Sequence, residues 1–138
     1  MKLLLVIIST ISLGAISYGK DIGVCKCIGY VIDKDGLDEE DRIEADSEEF
    51  MSVTCDKEGI EECKLFCMEV IPQATRDLDL DFQPEGLAVT LGQFICELLE
   101  TRKFSGYRTA LFASACGKEI DTGLRSKETL CCDYGKRC

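Results

Sequence analysis

The sequence predicts an α+β fold: a small disulfide-rich domain with about two helices packed on a short antiparallel sheet. Three observations lead there. An even set of ten cysteines follows a hydrophobic N-terminal leader. Two stretches repeat apolar residues at helical spacing, and β-branched alternating stretches stand near both ends of the chain.

The leader sets the boundaries. Met1-Lys2 gives a positive start, Leu3 to Ile8 is unbroken apolar sequence, and Ser17-Tyr18-Gly19 places small residues around a cleavage point before Lys20. A cut after Ser17, with Ala15 at −3, shifts the boundary by two residues. Residues 1–19 therefore read as a signal peptide. The apolar run falls short of the roughly 20 residues that a spanning helix needs, so no membrane insertion is expected. Residues 20–138 then form a single cysteine-rich secreted domain.

In order along that domain, Ile22 to Ile32 alternates with many β-branched residues and reads as a strand. Asp33 to Glu49 crowds acidic residues together and reads as a solvated acidic loop. Glu58 to Ile71 carries Ile60, Cys63, Cys67 and Val70 at helical spacing, with Pro72 as its expected end. Asp77 to Phe82 alternates acid and apolar residues, which suits a short strand or extended loop. Pro84 is placed to start a second helix, whose apolar face runs through Leu87, Leu91, Phe94, Ile95, Leu98 and Leu99. Tyr107 to Cys116 reads as a strand, Asp121-Thr122-Gly123 as a turn, and Leu124 to Asp133 as the antiparallel partner. Tyr30, Tyr107 and Tyr134 read as half-buried packing residues.

The ten cysteines are Cys25, Cys27, Cys55, Cys63, Cys67, Cys96, Cys116, Cys131, Cys132 and Cys138. In an exported chain they read as five disulfides rather than as metal ligands or nucleophiles. Cys25 and Cys27 share one face of a strand, and Cys63 and Cys67 share one face of a helix. Both pairs span roughly 6–7 Å, so a helix laid along the strand can make two bridges side by side. Cys131 and Cys132 face opposite sides of a strand, and each is expected to have its own distant partner. The full connectivity stays open.

Charge and absences limit the function. Twenty-six Asp and Glu against 16 Lys and Arg give a net charge of −10, one unit more negative once Lys2 leaves with the leader. That balance argues against nucleic-acid binding and against insertion into anionic membranes. The expected partner is an extracellular target, more readily a protein with a basic or neutral surface. The chain contains no His, Trp or Asn. Serine or cysteine catalysis through histidine is therefore excluded, as are His-containing zinc sites and N-glycosylation. No C-x-x-C redox motif occurs. A hydrolase working through a carboxylate pair stays formally open, but no pair stands out. No catalytic residue, cofactor or metal site is assigned, and a monomer is expected. Asp33, Asp35 and Glu44 match three positions of a calcium-binding EF-hand loop, yet Leu37 and Asp38 break the pattern where a ligand and the glycine belong.

The order C-x-C, lone Cys, C-x3-C, a Cys closing an apolar segment, and a terminal C-C…C resembles the insect follicle-cell-protein family of small secreted cysteine-rich proteins. The similarity is densest at Ala110-Leu111-Phe112…Cys116, Thr122-Gly123-Leu124 and Cys131-Cys132-Asp133-Tyr134-Gly135…Cys138. A Trp after the cysteine matching Cys116 is missing, Ile120 standing near its place, and the acidic insert at 33–49 is unusual. The resemblance implies an arthropod secreted protein, of the kind found in egg-associated tissue or in venom and saliva, and brings no catalytic residues. The expectation is a non-enzymatic venom or saliva component that binds a target surface. The alternative is a structural, matrix or eggshell-associated protein.

Overall fold

A computed structural model describes residues 21–138. The proposed signal peptide at 1–19 lies outside the described residues. Strand β1 (Ile22–Ile32) is followed by a short 3-10 turn at Glu39–Asp41, strand β2 (Arg42–Thr54), helix α1 (Lys57–Thr75) and helix α2 (Leu91–Leu98). Strands β3 (Lys103–Ala115), β4 (Lys118–Arg125), β5 (Leu130–Asp133) and β6 (Lys136–Arg137) complete the chain. The fold class is α+β and disulfide-rich as expected, but the sheet is longer and has more strands than the sequence suggested.

β1 lies between β2 and β3, antiparallel to both. The far half of β3 also pairs with β4, and its first half pairs with β5, which in turn pairs with β6. Alternation along β1 and β3 gives the sheet two different faces. Cys25, Cys27, Leu111, Ala113 and Ala115 point to the helix side and pack with Cys63, Cys67 and Leu78. Ile28, Ile32, Ala110 and Phe112 form a smaller cluster on the opposite side. A third cluster joins α2, through Leu91, Ile95 and Cys96, to Phe104, Leu130 and Cys132.

The paired bridges fall as the spacing predicts: Cys25–Cys63 and Cys27–Cys67, with Cα atoms 5.4 and 5.5 Å apart. Four helical residues and two strand residues advance the chain by nearly the same distance, so α1 follows β1 in register. Cys55–Cys116 ties the end of β2 to the β3–β4 turn, and Cys96–Cys132 ties α2 to β5. Cys131 does not reach a distant partner. Its bridge goes to Cys138, seven residues on, because the β5–β6 hairpin folds the chain straight back.

Further expectations are corrected. The acidic stretch is a loop only as far as Asp41, and Arg42 to Glu49 belongs to β2. Glu44, Asp46, Glu48 and Glu49 lie on an edge strand, where charged side chains stay in water while the backbone pairs with β1. The element order is accordingly β-β-α-α-β-β-β-β. α1 runs through Pro72 to Thr75. Proline in the last turn removes a single bond, and the Pro72 carbonyl still accepts from the backbone N–H of Asp77 at 2.8 Å. Arg76, Asp77 and Leu78 then adopt three successive left-handed conformations (φ 50°, 58° and 58°). Of the short strand or extended loop expected over Asp77–Phe82, no strand forms; the left-handed turn buries Leu78 and Leu80 while leaving Asp77 and Asp81 outside. α2 starts at Leu91, not at Pro84, because the Thr90 side chain caps it by accepting from Gln93 N–H. The hairpin turn after β3 is Cys116-Gly117, both at positive φ. Asp121 to Gly123 lies inside β4, and the single strand expected over Leu124–Asp133 is divided between β4 and β5.

Candidate functional site

α1 carries two stripes. Ile60, Cys63 and Cys67 face the sheet. Glu58, Glu61, Glu62, Leu65, Phe66 and Glu69 repeat at i, i+3, i+4, i+7, i+8 and i+11, which places them on one line along the helix. This second stripe borders β2 and forms with Met51 an open groove of about 620 Å³. Its floor is apolar, made by Met51, Leu65 (55% exposed) and Phe66, and Phe50 of β2, 38% exposed, meets the Phe66 ring edge-on at 5.2 Å. Four glutamates and Lys57 make its rim.

Among the described residues β2 pairs only with β1, so its outer backbone edge is unpaired, and Met51 of the same strand lines the groove. An unpaired edge can accept another extended chain. The acidic side chains along β2 and the glutamate rim select against a second copy of this chain and in favour of a basic segment. Sequence reading missed this site because it looked for the buried stripe of α1. The signal was available in Leu65 and Phe66, two large apolar residues lying off that stripe among glutamates.

All ten predicted site residues serve as bridges, and the chain has no free cysteine among the described residues. Cys25, Cys63 and Cys67 have sulfurs within 4.8 Å of one another, but these atoms are committed to two disulfides. Asp33 and Asp35 shape a turn, the Asp35 carboxylate accepting from Leu37 N–H at 3.2 Å. Glu44 lies apart on β2. The three EF-hand-like positions do not form a group of converging ligands among the described residues.

The opposite face of the sheet holds a polar cluster whose role is structural. Tyr30 packs edge-on against Phe112 at 4.9 Å and its hydroxyl donates to Glu119. Arg42 lies over both rings, and Arg125 makes a two-pronged ion pair with Asp121 at 2.6 and 2.9 Å. The hydrogen bonds from Arg125 hold the Asp121 carboxyl below its ordinary range. A depressed folded-state pKa contributes stability above the unfolded value, and this is lost as pH falls through the folded one. Burial, reinforced by Glu119, pushes Tyr30 far above the ordinary value of 10. Here the stabilisation is complete below the unfolded pKa and disappears only as pH rises through the raised one. Ultraviolet titration of the folded protein near pH 10 is therefore expected to give the same tyrosinate amplitude for wild type and Tyr30→Phe. Tyr107 packs on Phe104 at 4.8 Å, whereas Tyr134 is 63% exposed at the tip of the β5–β6 turn and is not a packing residue.

No family model, curated protein or solved structure matches this chain. Five disulfides are characteristic of proteins that mature in an oxidising compartment. No helix among the described residues is long and apolar enough to cross a membrane. The bridges are consistent with an extracellular protein.

Proposed function

We propose that this chain is a secreted, non-enzymatic binding protein of an arthropod gland secretion, venom or saliva, which recognises a basic and apolar segment of another protein. The observation that supports this reading most is the apolar Met51–Leu65–Phe66 floor inside a glutamate rim, with Leu65 and the neighbouring Phe50 exposed, on the side of a strand with an unpaired edge. Apolar anchors supply the contact energy, and the rim sets orientation and partner charge. The gland assignment draws on the leader and on the cysteine order described above. A cross-linked coat protein would draw its strength from intermolecular bridges, and ten internally paired cysteines leave it no thiol.

A capped peptide alternating lysine and valine serves as the probe, followed by fluorescence anisotropy. It is expected to bind saturably, and the glutamate-valine counterpart is not. Leu65→Ala with Phe66→Ala, or Glu61→Lys with Glu62→Lys, weakens binding by about tenfold or more. Raising salt well above physiological strength weakens it further, because rim charges are screened. Equal binding of both peptides, or indifference to both double variants, refutes the surface. Mass spectrometry of gland fluids against egg-associated tissue tests the origin separately.

A further inference from the structure

A second opening lies between the sheet and the two helices. Directly opposed residues share a face of the sheet, so the pairings Gly29↔Asp46 and Gly29↔Leu111 define a row running from β2 across β1 to β3 on the helix side. At the centre of that row the side chain is missing. A Cβ built on Gly29 meets nothing closer than the Asp46 carbonyl oxygen at 3.8 Å. Above this gap is a cavity of about 210 Å³, walled by Ile71 in the last turn of α1, Leu78 just after it, Leu87 and Ile95 around α2, and Leu111 of β3.

Two polar features mark it. Thr109 lines the cavity and is only 4% exposed, yet its hydroxyl oxygen has no hydrogen-bond partner. Its backbone N–H is satisfied by Ser126, so the hydroxyl is the unmet group. Buried hydroxyls seldom stay unpaired, because desolvation without a partner is costly. At the rim, Asp46 and Glu48 line the same cavity from the helix-facing side of β2 and reach solvent.

We propose that this cavity binds a small organic amine. The ligand has an apolar, preferably aromatic body, a hydroxyl or carbonyl at its inner end for Thr109, and an ammonium group at its outer end for Asp46 and Glu48. An apolar cavity of about 150 Å³ accommodates benzene, so this one of about 210 Å³ encloses about eight non-hydrogen atoms, a hydroxylated aromatic body, and leaves the ammonium at the rim. Gly29 is the position that keeps it open. The cavity shares no lining residue with the peptide groove, which lies on another line of α1, although Asp46 and Glu48 also belong to the acidic edge of β2.

The test is calorimetry on the disulfide-intact protein with three probes of one shape: 4-hydroxyphenethylamine, neutral p-cresol and anionic 4-hydroxyphenylacetate. The amine is expected to bind with one-to-one stoichiometry, and the anion at least tenfold more weakly. Asp46→Asn with Glu48→Gln brings the amine about tenfold down towards p-cresol and leaves p-cresol unchanged. Thr109→Val weakens both hydroxylated ligands about fivefold and leaves phenethylamine, which lacks the hydroxyl, unaffected. Gly29→Val fills the gap and abolishes binding without lowering the melting temperature. If that variant folds poorly, chemical-shift mapping on the wild type decides, with perturbations expected at Gly29, Thr109 and Leu111. Absence of saturable binding, equal affinity for the anion, unchanged affinity in folded Gly29→Val, or shifts centred on the glutamate stripe of α1 would each overturn the assignment.

Discussion

Removing the Cys25–Cys63 bridge as a double alanine variant is expected to cost about 4 kcal/mol, the entropy released when a loop of this length opens in the unfolded chain. The two cysteines are 38 residues apart and both are fully buried, so nothing in solvent compensates for the loss. Against a usual net stability of about 5–15 kcal/mol, the melting temperature is expected to fall by on the order of 10–20 °C. The Cys131–Cys138 bridge closes only seven residues, and its removal is expected to cost about 2 kcal/mol on the same reasoning. Thermal melts of both double variants check the ranking. A larger effect at the short bridge would show that native packing, not loop closure, dominates. Opening Cys25–Cys63 and Cys27–Cys67 together is expected to leave no cooperative transition at 37 °C, since α1 then loses both ties to β1.

The second large effect has the opposite sign from ordinary helix propensity. Gly59→Ala in the first turn of an exposed helix would stabilise by about 1 kcal/mol. Here a Cβ at 59 would lie 1.8 Å from the Thr54 carbonyl oxygen and 2.5 Å from its hydroxyl. Neither atom can swing away, because the Thr54 hydroxyl donates to the Asp56 carboxylate, which also caps the helix by accepting from Gly59 N–H at 2.7 Å. The alanine must therefore displace the cap, the end of β2 or both, at a cost of about 2–4 kcal/mol. Urea unfolding is the measurement, and a neutral or stabilising result would mean that the β2–α1 connection is looser than its contacts imply.

Much of this fold is legible in the sequence wherever one physical cause acts alone. Cys25 and Cys27 against Cys63 and Cys67 could be matched because strand and helix repeats are rigid rulers. β2 could not be seen because two causes overlap there. Ile43, Ala45, Met51 and Val53 carry the inward contacts of the strand, but the acids between them raise the local charge to the level of a solvated loop. Charge at a sheet edge protects against unwanted pairing and also hides the alternation. The ends of α1 and α2 were misplaced for a related reason. Pro72 and Pro84 are strong local signals, yet the left-handed turn at Arg76 and the Thr90 cap decide where the helices stop and start. Leu65 and Phe66 hint at the groove floor, but its closure by Met51 and the gap above Gly29 depend on neighbours distant in sequence, which no local pattern announces.

The central place of β1 between β2 and β3 has a consequence for how the chain acquires its shape. β2 and α1 follow β1 directly, so that half can close its two bridges early. The β3 side of β1 then waits for residues made much later, with hydrogen-bonding groups and apolar side chains uncovered in the interval. Refolding from the reduced chain is therefore a race between β3 docking and intermolecular strand exchange, and yield is set by dilution and by how quickly Cys55 finds Cys116.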